Sequence, residues 1–226
     1  MRLRYYIGAF AALLFTACSV EVDFEESSQL IFKGISAHQR EKVFMANGQT
    51  GFGVVYDQSG KADVINGTYD LLYIASELDI IKLNDYEKGS FDEAHIKYKN
   101  ASYTSDELDH IYTFHKTGIT LPGTKEVSIS TNKQITQGYK LKYGGTDSNA
   151  PAQLQGCLHL PATIDAISGV SSGDMSESFD LSFTLDKTGT LSVILPKGLP
   201  STSTAYLDYD KKEHTVNISS NTIVIE

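Results

Sequence analysis

Between Phe179 and Leu195 the chain alternates apolar and polar residues twice over, and no other feature limits its fold as tightly. Phe179, Leu181, Phe183 and Leu185 are separated by Asp180, Ser182 and Thr184. Leu191, Val193 and Leu195 repeat the pattern after Asp186-Lys187-Thr188-Gly189. A period of two puts every apolar side chain on one face of an extended strand, and a turn sequence between two such runs predicts a hairpin. The alternation recurs in Tyr69, Leu71 and Tyr73 after the turn dipeptide Asn66-Gly67, in Val127 and Ile129, and in Tyr139, Leu141 and Tyr143. Val216 and Ile218 are joined to Ile223 and Ile225 by a Ser219-Ser220-Asn221 turn. The run 135–143 is expected to continue into 153–160 as a further hairpin across the polar loop 144–152. Helix signals are few. Ser90-Phe91-Asp92-Glu93 has the spacing of a capping box, and Ser105-Asp106-Glu107-Leu108 could start one turn, with its carboxylates near the positive end of the dipole. Many short strands punctuated by turns predict an all-β chain built from β-sandwiches.

The first residues say where such a chain goes. Arg2 and Arg4 precede an apolar stretch from Ile7 to Phe15, and the small residues Thr16 and Ala17 lead into Cys18. This is the layout of a secretory signal peptide, shorter than the roughly 20 apolar residues of a membrane span. Phe15-Thr16-Ala17-Cys18 resembles a lipobox, with phenylalanine where the pattern prefers an aliphatic residue. The resemblance implies cleavage between Ala17 and Cys18 and acylation of Cys18. Each buried methylene contributes about 0.8 kcal/mol, so two or three acyl chains hold firmly where one is marginal. The alternative is an ordinary secreted protein cut nearby. Residues 1–17 are thus read as signal peptide and 18–28 as a tether. Its Glu21, Asp23, Glu25 and Glu26 resemble the acidic tether that sends some Bacteroidota lipoproteins to the cell surface; the alternative is a plain spacer. Acylation would leave Cys157 as a lone thiol, read here as a small buried hydrophobe on a strand.

A break near Thr131-Asn132-Lys133 divides the remainder into units of similar length, 29–132 and 133–226, each within the usual domain range. The formal charge is −9. Removing residues 1–17 takes away two of 19 basic residues and none of 28 acidic ones, which leaves 17 − 28 = −11. With no Lys/Arg-rich stretch, nucleic acid is excluded as a partner. Catalytic signals are absent. His110 and His115 are five apart and face opposite sides of a strand, and His38, His95, His159 and His214 stand apart from one another. No metal-ligand spacing occurs. Gly48-Gln49-Thr50-Gly51-Phe52-Gly53 lacks the Lys-Ser/Thr of a phosphate loop and reads as a turn before Val54-Val55-Tyr56. There is no Gly-x-Ser-x-Gly elbow. The chain is read as a non-enzyme with no cofactor and no metal.

Gly67-Thr68-Tyr69-Asp70-Leu71-Leu72-Tyr73, Ile80-Ile81-Lys82-Leu83-Asn84 and Ser90-Phe91-Asp92-Glu93-Ala94 together resemble segments of the fimbrillin-associated anchor family of Bacteroidota lipoproteins, the minor fimbrium anchor subunits. Asp109-His110-Ile111-Tyr112 and the run Ile164 to Gly173 extend the resemblance over most of the chain. Each motif is short; their order and spacing carry the likeness. It implies two tandem transthyretin-like, Greek-key β-sandwiches. It also implies an outer-membrane, surface-exposed lipoprotein that anchors or assembles fimbriae by strand exchange with a pilin subunit. A sheet lacking one strand presents open N–H and C=O groups that a partner's extended segment completes.

Two segments are candidates for that exchange. One is the C-terminal run His214 to Glu226, which also reads simply as the last strand of its sandwich. The other is Gln29 to Ile35, followed by Arg40, the one arginine beyond the leader. In related polymerising subunits an arginine-specific protease removes the first strand. Arg40 is therefore either a processing site, which would make the chain a stalk or tip subunit, or an ordinary loop residue. Anchor subunits keep their first strand, and retention is the reading taken here. The competing function is a surface glycan- or nutrient-binding module that stacks sugars on Tyr98, Tyr103 or Tyr112.

Overall fold

The computed structural model describes residues 26–35, 40–76, 79, 81–129 and 133–226. Every regular element among them is a strand, apart from a single turn of 3-10 helix at Tyr86–Lys88. The all-β expectation holds. In chain order the strands are β1 (Ser27–Lys33), β2 (Lys42–Ala46), β3 (Gly51–Val54), β4 (Lys61–Ile65), β5 (Thr68–Ser76), β6 (Ile81–Asn84), β7 (His95–Tyr98), β8 (Ser102–Thr104), β9 (Ile111–Thr120) and β10 (Glu126–Ser128). Then come β11 (Lys133–Gln134), β12 (Thr136–Tyr143), β13 (Gln153–Pro161), β14 (Thr163–Asp165), β15 (Ser178–Asp186), β16 (Leu191–Pro196), β17 (Thr204–Leu207), β18 (Lys212–Ser219) and β19 (Thr222–Ile225). The proposed leader and most of the tether, Ala17 and Cys18 included, lie outside the described residues, as do residues 130–132, most of the predicted break.

The first half of the chain is layered. A three-stranded sheet, β10-β1-β4, covers one face of a five-stranded sheet, β11-β9-β5-β2-β3. Leu30 and Phe32 of β1, Val64 of β4 and Val127 of β10 meet Val43, Met45, Leu71, Tyr73 and Ile119 in a common core. β5 is buried on both faces. Tyr69, Leu71 and Tyr73 point into this core, whereas Leu72 and Ile74 join Phe44 of β2 in a second one. That second face is covered by the small sheet β14-β7-β6.

The second half forms an eight-stranded sheet in the order β16-β12-β19-β18-β17-β13-β15-β8. β18 pairs with β17 through Lys212 to Thr215 and with β19 through Val216 to Ser219, so it passes from one half of the sheet to the other. Tyr139, Leu141, Val193, Leu195, Ile223 and Ile225 from one half meet Leu158, Leu160, Phe179, Leu181, Phe183 and Ala205 from the other in a shared core. The sheet therefore closes on itself as a sandwich does.

The two halves exchange strands. β8, from before residue 132, pairs in parallel with β15, and β14, from after it, pairs antiparallel with β7. Tyr98, Tyr103 and Phe179 lock this junction, with ring centroids 4.6 Å apart for Tyr98–Phe179 and 5.6 Å for Tyr103–Phe179.

Several local expectations are corrected. The strands predicted at 179–185 and 191–195 exist, but they do not pair: β15 bonds β13 and β8, and β16 bonds β12. Asp186 to Gly189 is a tight turn, with Gly189 N–H donating to the Asp186 carbonyl at 2.8 Å, and it carries the chain from one side of the core to the other. Nor do β12 and β13 form a hairpin, since β12 pairs with β16 and β19 and β13 with β15 and β17. The loop between them is pinned by Lys187 Nζ, which donates to the Asp147 and Ala150 carbonyls at 2.8 and 3.1 Å. No helix follows Ser90; its hydroxyl accepts the Asp92 N–H at 3.1 Å, while Glu93 turns to Lys88. At Thr104, by contrast, the Glu107 carboxylate accepts the Thr104 N–H at 2.6 Å and closes the single expected turn. The hairpin β18–β19 is present as predicted.

Candidate strand-exchange and binding sites

β1 is the middle strand of its sheet. It pairs antiparallel with β4 from Ser27 to Ile31 and parallel with β10 from Ile31 to Lys33, so it starts two residues before the predicted Gln29. Period-two alternation turns Leu30 and Phe32 inward, and both are buried. Its edges are fixed by main-chain bonds: Ile31 N–H to the Lys125 carbonyl at 3.0 Å, Phe32 N–H to the Gly60 carbonyl at 2.8 Å, and Ile129 N–H to the Lys33 carbonyl at 2.7 Å. Gly60 has φ +77°, and a Cβ there would stand 2.3 Å from the Phe32 carbonyl oxygen, so this turn approaches β1 only as glycine. β4 and β10 flank β1 and do not pair with each other. Without β1 the sheet would keep two open edges and an uncovered apolar floor.

Arg40 lies two residues before β2, with its side chain 40% exposed and 3.9 Å from the Asp79 carboxylate. It borders a shallow cleft with room for about one water, partly open to solvent, lined by Lys42, Phe44, Ile74, Asp79, Ile81, Lys82 and Leu83. Lys99 also binds Asp79. Partial burial, then the neighbouring Lys99 and Arg40 cations, hold the Lys42 ammonium below its ordinary value. This cationic group escapes sequence reading because its members come from three separate segments, 40–42, 79–82 and Lys99, which only the fold brings together.

The other exchange candidate is enclosed. β19 is bonded to β12 on one side and β18 on the other, and Ile223 and Ile225 are fully buried. It is an interior strand.

The structure places the remaining candidates as follows. Tyr98 and Tyr103 are buried, at 1% and 3% exposure, which corrects their reading as exposed sugar-stacking rings; Tyr112 is half-buried. His110 Nδ1 accepts from Gln134 Nε2 at 2.8 Å, while His115 packs edge-on against Phe91, so the two histidines have separate surroundings. His159 pairs with Asp180 at 2.9 Å, on the same face of β13 as Cys157. That trio has the residue types of a nucleophile with its base, yet burial and the Asp180 and Asp208 charges push the Cys157 thiol up, away from the reactive thiolate. Among the described residues no group of three or more His, Cys, Asp or Glu is placed to hold a metal ion. No helix among them is long and apolar enough to cross a membrane. Of the run Gly48 to Gly53 only its first part turns, with Asn47 Oδ1 accepting the Gln49 and Thr50 N–H groups at 3.1 and 2.9 Å; Gly51 to Gly53 belong to β3 and pair with β2, which corrects their reading as part of the turn.

No known protein family matches the chain by sequence, and no curated protein sequence does. Its fold does have counterparts. A candidate adhesin from Bacteroides ovatus ATCC 8483 superposes with a TM-score of 0.54 at 11% identity, over 88% of this chain and 88% of that one. A candidate polysaccharide-binding protein from Bacteroides thetaiotaomicron VPI-5482 has a TM-score of 0.46 at 12% identity, over 83% and 78% of the two chains. A further Bacteroides ovatus candidate adhesin has a TM-score of 0.45 at 11% identity, over 83% and 75%. At such identities the first likeness speaks for the fold alone.

Proposed function

We propose that this chain is a surface lipoprotein of adhesion type, held in the outer membrane by an acylated Cys18, that anchors or assembles fimbriae through strand exchange with a pilin subunit. On this reading its sheets are two tandem transthyretin-like sandwiches following a cleaved leader, and it turns over no substrate. The observation that carries the proposal is β1. It is an N-terminal strand joined to the rest by one link and seated between two strands that have no bond to each other, with two core side chains two residues apart. That is the geometry in which one extended segment can take the place of another. The description of the similar Bacteroides ovatus structure as a candidate adhesin agrees with this role. The glycan-stacking reading loses two of its three rings, because Tyr98 and Tyr103 face the core and only Tyr112 is part-exposed.

Arg40 bears on the choice between an anchor and a processed stalk or tip subunit. It follows β1 in the link and is part-exposed, so a cut after it would free β1. Mass spectrometry of the native N-terminus, together with co-purification of pilin from the envelope, tests the proposal. An acylated Cys18 on a chain that captures pilin, and release of the Cys18→Ser variant from the envelope, are the expected results. A chain beginning at Glu41 would make it a polymerised subunit. Absence of any pilin in the purified complex would overturn the fimbrial role.

A further inference from the structure

The seat of β1 is uneven along its length, and each alternate position asks for a different side chain. At one end the Ser28 hydroxyl donates to Asn66 Oδ1 at 2.5 Å, while the Asn66 N–H donates to the Glu26 carbonyl at 2.7 Å. Two residues on, Leu30 is fully buried and stands opposite Ala62 of β4, a small and buried neighbour. Phe32 follows, also buried, with its ring edge-on to Tyr56 at a centroid separation of 5.9 Å. The intervening residues ask for little. Gln29 and Lys33 are exposed and Ile31 is half-buried. Lys33 pairs with Glu126 at 2.6 Å, but both side chains are half in solvent, where such pairs add little.

The far end is the most demanding. Gly34 has φ +79°, and a Cβ there would stand 2.6 Å from the Ile129 carbonyl oxygen. That obstacle is backbone, tied to β1 by the Ile129 N–H bond to the Lys33 carbonyl, so it does not swing aside as a side chain would. Any other L-residue meets both a disfavoured backbone conformation and a clash. Main-chain bonds to a strand are indifferent to its sequence, whereas two shaped pockets and an obligatory glycine are not.

We propose, resting on the strand-exchange reading above, that this seat selects its occupant. It accepts an extended segment that runs parallel to β10 and antiparallel to β4, with a small polar residue, an aliphatic residue, an aromatic residue and a glycine at successive alternate positions. These take the places of Ser28, Leu30, Phe32 and Gly34. The other exchange candidate of this chain, β19, reads Thr222-Ile223-Val224-Ile225 and offers neither the ring nor the glycine. Copies of this chain therefore do not link to one another through β19, and the seat receives a segment of a different subunit.

The test uses the full mature chain carrying Cys18→Ser, cut once by an arginine-specific protease, since Arg40 is the one arginine beyond the leader. The cut leaves β1 seated without a covalent link. A chain with another protease's site inserted after Ile35 gives the same cut where Arg40 is slow. Labelled peptides spanning residues 26–35 are added in excess in mild urea, and exchange is followed by fluorescence anisotropy and by mass spectrometry of the released segment. The peptide of native sequence is expected to replace β1. Peptides with Leu30→Ala or Phe32→Ala are expected to compete about thirtyfold more weakly, and one with Gly34→Ala about tenfold more weakly. Ile31→Ala is expected to stay within about fivefold of the native peptide. A peptide of residues 214–226 is expected to displace nothing. Equal competition by the Gly34→Ala and native peptides, or displacement by the 214–226 peptide, would overturn the selectivity and leave strand exchange standing. Failure of the native peptide to exchange at any urea concentration below unfolding would overturn strand exchange itself, and the selectivity with it.

Discussion

Tyr98 shows what one residue reveals about this molecule. Its ring is fully enclosed by Phe179 and Tyr103, and its hydroxyl has no hydrogen-bond partner. Burial pushes its ionisation far above the ordinary tyrosine value. In sequence Tyr98 sits between Lys97 and Lys99, and that polar context reads as exposed; β7 instead turns the ring inward while the lysines face solvent. A buried donor without an acceptor costs about 1–3 kcal/mol, and removing the group recovers part of it. Tyr98→Phe is therefore expected to raise stability by about 1 kcal/mol in urea unfolding, with the ring packing unchanged. Destabilisation instead would mean that the hydroxyl has a bound partner, such as a buried water. The cleft is the opposite case. Arg40 was visible in the sequence as the lone arginine beyond the leader, but Asp79, Lys82 and Lys99 reach it only through the fold.

At the scale of elements, alternation located the strands well and their partners badly. A period of two reports which side chains share a face, not which strand lies alongside. Phe179 to Leu185 and Leu191 to Leu195 carry their apolar residues toward the same core from opposite sides, and a four-residue turn serves a crossing as readily as a hairpin. β5 was half-read for a related reason. Tyr69, Leu71 and Tyr73 gave the strand, while Leu72 and Ile74 fill a second core whose existence depends on β6 and β7. β1 was legible as a strand, and its central place, between two strands distant in sequence, was not. That place carries an expectation. Leu30→Ala and Phe32→Ala each delete a buried anchor and are expected to cost about 2–5 kcal/mol. Ile31→Ala, on the outward face, is expected to cost less than about 1 kcal/mol. Hydrogen exchange at the Ile31 and Phe32 amides should accelerate in the two core variants ahead of exchange in β5. Uniform acceleration across the sheet would show that β1 opens only with the whole unit.

On the scale of the whole molecule, the two halves are not beads on a string. β8 completes an edge of the second half's sheet, β14 completes the small sheet that covers the first, and the Tyr98–Tyr103–Phe179 cluster lies across the join. Residues from both sides of 132, from Phe44 and Leu72 to Leu160 and Ile164, belong to one continuous core. Pulling such halves apart uncovers several large apolar side chains at about 1.5–3 kcal/mol each, comparable with the 5–15 kcal/mol that holds a typical domain together. The chain from residue 26 to 226 is accordingly expected to unfold in a single cooperative transition, with circular dichroism and intrinsic tyrosine fluorescence coincident. Residues 133–226 expressed alone would leave Phe179 and Ile164 without their covers. They are expected to bind a hydrophobic dye and to lack a sharp near-ultraviolet spectrum. A sharp, reversible transition in that fragment would show that the interlock is dispensable. If it is required, the load that the proposed lipid anchor and pilin would apply passes through paired strands and stacked rings instead of a flexible hinge.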